Sequence, residues 1–382
     1  MVELFFDLVF VFAVTQLSHT LLAHLDAAGA AQATLLLAAV WWVWIYTSWV
    51  TNWLDPERSA VRVCLLVLML AGLVLSSSLP KAFAEHAFAF ACAYVFMQVG
   101  RTLFFLWAIR GGPVHMRRNF QRILVWLCTS AVFWIAGALA AEAARFALWT
   151  AALLIELVAP WAYFYVPGLG RSSTVDWGDV DPHHLAERCA LFVIIALGES
   201  LLVTGATFSG LEWNGSAIVA MASAFLGSVA MWWIYFDTGA QRAAERFSHS
   251  EDPGRVARSV YTYLHLPIVA GIIVCAVSDE LVLTHPEHAS NAGVAAILGG
   301  PALYLAGNAL FKWVTNDRPA PPLSHLAGLA LLLALTPLSH GFSALTLGVA
   351  TTAIMVLVAA WETIALRRRA LVARQGGYTR RS

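Results

Sequence analysis

Runs of about twenty apolar residues recur along the whole length of this chain, and that recurrence limits it to one class of fold. Hydrocarbon offers no water to an unpaired N–H or C=O, so a segment that crosses a bilayer must satisfy its own backbone. Runs of this length do so as α-helices. The chain is therefore expected to be an all-α polytopic membrane protein. Composition agrees: of 382 residues, 60% are hydrophobic and 12% are charged, where a soluble globular chain carries about 25% charged residues. Sixteen Trp and nine Tyr suit helix ends at the two membrane interfaces. The formal net charge of zero carries no information, because the distribution of charge does.

About twelve spans are expected, near 3–25, 32–54, 59–79, 83–109, 119–140, 144–166, 185–207, 215–237, 256–279, 291–313, 323–339 and 343–365. Arg58, Arg62, Arg110, Arg117, Arg118, Arg122, Arg171, Arg188, Arg242, Arg246, Arg255, Arg258, Lys312 and Arg318 fall at or near the even-numbered loops. Arg367, Arg368, Arg369, Arg374, Arg380 and Arg381 make a basic C-terminal stretch. Lys81 and Arg145 are the main basic residues of the odd-numbered loops. The positive-inside rule then places both termini in the cytoplasm, as an even number of spans requires. No cleavable leader is evident, and the abrupt start Met1-Val2-Glu3 suggests a longer natural N-terminus. Cys64, Cys92, Cys128, Cys189 and Cys275 all fall inside spans without metal-ligand spacing, and are read as small apolar residues.

A weak internal repeat runs through the spans. Leu8–Ala13 aligns with Leu191–Ala196, which sets Gln16 opposite Glu199. Trp44-Ile-Tyr46 recurs as Trp233-Ile-Tyr235, Asp55-Pro-Glu-Arg58 as Asp252-Pro-Gly-Arg255, Gly100-Arg-Thr-Leu-Phe104 as Gly307-Asn-Ala-Leu-Phe311, and Leu157-Val-Ala-Pro-Trp161 as Leu357-Val-Ala-Ala-Trp361. The expected plan is two parallel six-helix repeats: residues 1–170, residues 171–366, and a basic cytoplasmic tail over 367–382. Transporters of this plan bind substrate between the halves near the midplane.

The central chemical feature is Leu185–Ala206, a span with Gly198-Glu199-Ser200 in its middle. A carboxylate there costs roughly 2.5–3.5 kcal/mol even on lenient scales, so it is paired, protonated or used. A helix-to-helix hydrogen bond that only glues the bundle is the bland alternative. Glu199 stands twelve residues beyond Glu187, about 18 Å deep, and Gln16 about 20 Å beyond Glu3. His19 shares the face of Gln16. Arg101, about 13 Å from its cytoplasmic helix end, is the most deeply placed arginine. Pro267 deprives the carbonyl of Tyr263 of its helical donor and should kink the ninth span, with His265 inside the distorted turn. A lone histidine at a kink is more often structural. Gln16, His19, Arg101, Glu199 and His265 are expected around one polar cavity, with a static Arg101–Glu199 pair as the structural alternative. Glu156 ranks as a second intramembrane carboxylate.

Glu3 and Asp7 share one helix face near the cytoplasmic surface, with Arg58 or Arg62 as expected partners in a helix-terminal cluster or a gate. Asp55 and Asp252 are expected to cap the third and ninth helices, each followed by Pro at the first helical position. Asp237 and Glu362, near helix ends, are expected to snorkel or pair at the surface. Asp279, Glu280, His285, Glu287 and His288 make an expected outer-loop group whose spacing matches no metal motif. Enzyme signatures are absent: Gly198-Glu199-Ser200-Leu201-Leu202 misses the last glycine of G-x-S-x-G. No catalytic residue, cofactor or nucleic-acid partner is expected.

Glu3-Leu-Phe-Phe-Asp-Leu-Val-Phe-Val-Phe-Ala13, with Glu187-Arg188 and Leu191-Phe-Val-Ile-Ile-Ala-Leu-Gly-Glu-Ser-Leu201, resembles the two hallmark segments of the bacterial low-temperature-requirement A family. By that resemblance Glu3, Asp7, Glu187, Arg188, Gly198, Glu199 and Ser200 are this chain's copies of the motif. The family name records a growth phenotype in the cold and supplies no substrate. The resulting expectation is a secondary transporter of a small solute in the bacterial inner membrane, with proton coupling at Glu199, Ser200 beside it and surrounding lipid as partner. Its rivals are a non-transporting membrane protein that supports the envelope in the cold through lipid or protein partners and, more weakly, an intramembrane enzyme.

Overall fold

A computed structural model describes residues 2–177, 180–237, 258–315 and 320–378; at 175, 258–259, 340 and 369–378 only the backbone is described. Among these residues the chain is helical, and the one bridge of β type joins Val166 to Gly170. Twelve helices are arranged in this order: α1 Val2–Ala23, α2 Ala27–Trp53 and α3 Ser59–Ser78; α4 Ala87–Ala108, α5 Val114–Leu139 and the shorter α6 Glu142–Val158; α7 Pro182–Ser209, α8 Gly215–Phe236 and α9 His265–Thr284; α10 Asn291–Thr315, α11 Leu323–Leu335 and α12 Ala344–Tyr378. Among the described residues ten helical segments are long and apolar enough to cross a membrane.

Several boundaries differ from the sequence reading for local reasons. The sixth span, expected over 144–166, ends at Val158. Pro160 has no N–H to continue the ladder, and the chain reverses through Tyr163 and Phe164, both in the left-handed region at φ 53° and 47°. The ninth span reaches Thr284 rather than 279, so Asp279 and Glu280 lie in the helix and not in an outer loop. Helix α12 runs on to Tyr378 through most of the expected tail. Asp55 does not cap α3: its carboxylate accepts from the N–H of Glu57 at 2.9 Å, and the helix begins four residues later at Ser59 with Arg58 as N-cap. Asp26 and Asn214 are side-chain caps, accepting from Gly29 N and Ala217 N. Asp252 lies outside the described residues.

Two stretches adopt the wider π-helical register: Phe96–Gly100 within α4 and Arg258–Leu264 before α9. For the second, Pro267 gives the cause anticipated from sequence, the missing donor to Tyr263. Each such turn inserts a residue, which rotates the helix beyond it by about 100°.

The chain divides into two compact units, Met1–Ala196 with Ala244–Leu266, and Leu197–Ala243 with Pro267–Ser382. In the first, α2 is apolar nearly all round and is the most enclosed helix, with Trp41, Trp42 and Trp44 fully buried. Helix α1 packs on α2 and α3, and α5 runs along α6. In the second, α8 lies along α12, and α10 meets both α11 and α12.

Helices cannot associate in lipid by hiding oil from water, so close backbone approach matters more. Gly271 of α9 shows it. A Cβ there would stand 2.5 Å from the backbone nitrogen of Tyr304 on α10, whereas one at Gly299 would meet nothing within 4 Å. Gly271→Ala is expected to lower stability by about 1–3 kcal/mol through overpacking, while Gly299→Ala stays within about 0.5 kcal/mol. Thermal denaturation of the detergent-purified variants checks this, and equal midpoints would refute the close helix contact.

Candidate functional site

In the first unit α1 sets Glu3 and Asp7 on one face, and α7 brings Arg188 to them. Asp7 is fully buried and Arg188 is 3% exposed. Arg188 donates from Nη1 to Asp7 Oδ2 and from Nη2 to Oδ1, both at 2.7 Å, and Trp44 Nε1 donates to Oδ1 at 2.9 Å. The planar guanidinium matches the carboxylate fork, and its carbon lies 5.8 Å from the Trp44 ring centre. Glu3 Oε1 is 3.1 Å from His184 Nε2 and 3.9 Å from Arg188 Nε. His184 in turn meets Asn52, which exchanges two hydrogen bonds with the Asp181 backbone at 2.7 and 2.9 Å. The expected partners change accordingly. Arg62 pairs with Glu57, and Arg58 is exposed at the start of α3. Glu187 is exposed, and Arg255 lies outside the described residues.

A second buried network joins α4, α5 and α6. Glu156 accepts four hydrogen bonds: Tyr94 Oη at 2.7 Å and Gln98 Nε2 at 2.9 Å on Oε2, Ser130 Oγ at 2.7 Å and Trp134 Nε1 at 3.0 Å on Oε1. An ionised carboxylate is acceptor-only with about four sites, so this donor set completes it. The other end of the Gln98 amide accepts from Arg101 Nη2, which orients the amide. Arg101 Nη1 donates to Val43 O at 3.2 Å and Thr47 Oγ1 at 3.0 Å. Arg101, 1% exposed, thus faces no carboxylate within 4 Å among the described residues and reaches Glu156 through an amide.

Beside Arg101 lies a cavity of about 30 Å³, walled mainly by Tyr46, Trp49, Trp53, Phe164, Trp177 and Tyr263, with Thr102 and Thr262. Of the five residues expected around one cavity, Arg101 is a wall of this one. Gln16 is half-buried on α1 and His19 is exposed. His265 is buried, its Nδ1 3.2 Å from Val260 O and its ring nearly parallel to Trp41 at 6.3 Å. That places it in the aromatic core at the π turn.

In the second unit Glu199 is 4% exposed and makes no hydrogen bond or ion pair with a described residue. Ser200 Oγ, fully buried, has no hydrogen-bond partner among the described residues either. Glu362, expected at the surface, is buried instead, with Lys312 Nζ 2.7 Å from its Oε2. The sequence reading missed Gln98, Tyr94, Ser130, Trp134, Trp44 and His184. Gln98 was findable, three residues before Arg101 on the same helical face.

Both buried networks can be tested through stability. Removing either Asp7 or Arg188 alone leaves an uncompensated buried charge and should cost about 3–5 kcal/mol, with the double Asp7→Ala/Arg188→Ala variant losing less than the sum; strict additivity in a thermal double-mutant cycle would refute the pair. Glu156→Gln sets an NH2 donor among four donors and should cost about 1–3 kcal/mol by the same assay; an unchanged midpoint would refute the acceptor-only network.

Comparison with known proteins places this sequence in a family. The chain is 45% identical over 370 residues, 96% of its own length and 89% of the other, to an uncharacterised protein of Rhizobium meliloti (strain 1021). No solved structure matches it. Residues 1–360 match the family described as bacterial low temperature requirement A protein, LtrA. Both resembling segments, with Asp7, Arg188 and Glu199, lie inside that match, and the chain is a multi-pass membrane protein belonging to the LtrA family.

Proposed function

We propose that this protein is a secondary transporter of a small solute, with Glu199 as the residue that carries the coupling proton. The observation that carries this reading is the contrast between two membrane carboxylates. Glu156 is surrounded by four donors, whereas Glu199 is equally buried and has no partner among the described residues. A lone carboxyl group in hydrocarbon is a functional residue by default. A group without fixed partners can change protonation without dismantling a network.

The rest of the reading comes from sequence. The weak repeat supports two parallel six-helix halves, with Gln16 as the repeat mate of Glu199. The positive-inside bias supports a bacterial inner-membrane protein with both termini cytoplasmic. Ser200 stands beside the coupling residue, and Arg101 and His265 shape the polar interior. The Asp7–Arg188 and Glu3–His184 pairs serve as a cytoplasmic-side gate. Lipid is the surrounding partner, and neither an enzymatic step nor a nucleic acid enters this reading.

A second reading has one observation in its favour. The cavity beside Arg101, about 30 Å³, has room for one water or one single-atom ion and not for a larger solute. On that reading the protein is a non-transporting membrane component that supports the envelope at low temperature through lipid or protein partners.

Infrared difference titration of lipid-reconstituted protein separates the two. Transport predicts a carboxyl band that titrates, disappears in Glu199→Gln and survives in Glu156→Gln, with little loss of thermal stability in Glu199→Gln. A Glu199 that never changes protonation, together with a destabilised Glu199→Gln, would overturn the coupling role.

A further inference from the structure

We propose that the aromatic cavity beside Arg101 is a binding site for a halide ion. Both π-helical turns of the described chain deliver residues to its wall. Arg101 and Thr102 directly follow the turn Phe96–Gly100, and Thr262 and Tyr263 lie within the turn Arg258–Leu264. Such turns are rare and concentrate at functional sites. Here two of them, far apart in sequence, converge on one small cavity.

The polar inventory points to an acceptor. Arg101 Nε and Trp53 Nε1, both in the wall, are buried N–H groups with no hydrogen-bond acceptor among the described residues. Each such orphan is destabilising if nothing meets it. One of the two belongs to a full cation that lies 5.6 Å from the Tyr46 ring centre and has no carboxylate of the described residues within hydrogen-bonding range. The nearest negative charge along its hydrogen-bond chain, Glu156, is fully occupied by its own four donors.

A single water also fits about 30 Å³, and it would accept from both N–H groups. It would then need acceptors for its own two hydrogens. Thr102 Oγ1, which donates to Gln98 O, and Thr262 Oγ1, which accepts from Trp49 Nε1 at 3.1 Å, each keep a lone pair for that; what a water does not bring is a counter-charge for Arg101. Most of the remaining wall is aromatic. An anion accepts from both donors and needs no acceptor in return. Its charge is balanced by Arg101 in a low-dielectric enclosure where that attraction is strongest.

The site does not depend on the transport reading, since binding is an equilibrium property of the purified protein. Trp49, Trp53 and Trp177 in the wall provide the signal. The full-length protein in lipid nanodiscs is titrated with sodium iodide against sodium gluconate at constant ionic strength, following tryptophan fluorescence. The expected result is a saturable quenching component that is lost in Arg101→Gln and weakened roughly tenfold in Trp53→Phe, which keeps an aromatic ring and removes the N–H. Competition by chloride and not by acetate would identify the occupant as a halide, and competition by acetate would overturn a site for a single-atom ion. Quenching that rises linearly with iodide and is the same in the parent and in Trp53→Phe would overturn the proposal and leave water as the occupant. Trp53→Phe keeps the test decisive if Arg101→Gln fails to fold, and none of these outcomes bears on whether Glu199 titrates.

Discussion

A charge inside hydrocarbon must be met by another group of the protein, because no solvent is there to meet it. The first unit of this protein meets that constraint in two different ways. Asp7 and Arg188 satisfy each other directly, as a bidentate pair between α1 and α7 with a tryptophan N–H completing it. Arg101 and Glu156 are held apart, with the Gln98 amide accepting from one and donating to the other. The direct pair closes both charges. The relayed pair closes Glu156 completely and leaves Arg101 with a donor beside a cavity. The same electrostatic demand therefore produces a clasp at one place and a potential ligand contact at another.

Backbone geometry and side-chain chemistry converge at that second place. A regular α4 would carry Arg101 about 100° round its axis from the face it occupies after the π turn. The turn before α9 has an identifiable cause in Pro267, and it sets Thr262 and Tyr263 into the same wall. His265, just past that turn, takes a carbonyl five residues back and an indole face, so its surroundings are those of a core residue.

Much was legible along the chain itself. The helical class, the membrane setting and the placing of Arg101, Glu156 and Glu199 within apolar helices come from apolar runs, which are local properties. The distortion at Pro267 was legible because a missing N–H has a defined consequence four residues earlier. The end of α6 was less so. Pro160 marked a free carbonyl, but whether the chain kinks or reverses depends on whether neighbours accept the left-handed turn at Tyr163 and Phe164.

Pairings between helices were not legible. Arg58 and Arg62 were plausible partners of Asp7 by charge and depth, yet Arg188, 181 residues away, holds it. Glu362 looked like a surface acid by its position near a helix end and is instead buried against Lys312. The sequence by itself determined that this chain crosses a membrane many times, and which charges fall inside its apolar runs, because hydropathy and helical rise are read one segment at a time. Tertiary structure alone decided which deep charges close on each other and which stay open, because a partner is set by the rotation and approach of helices distant in sequence. No local period encodes those.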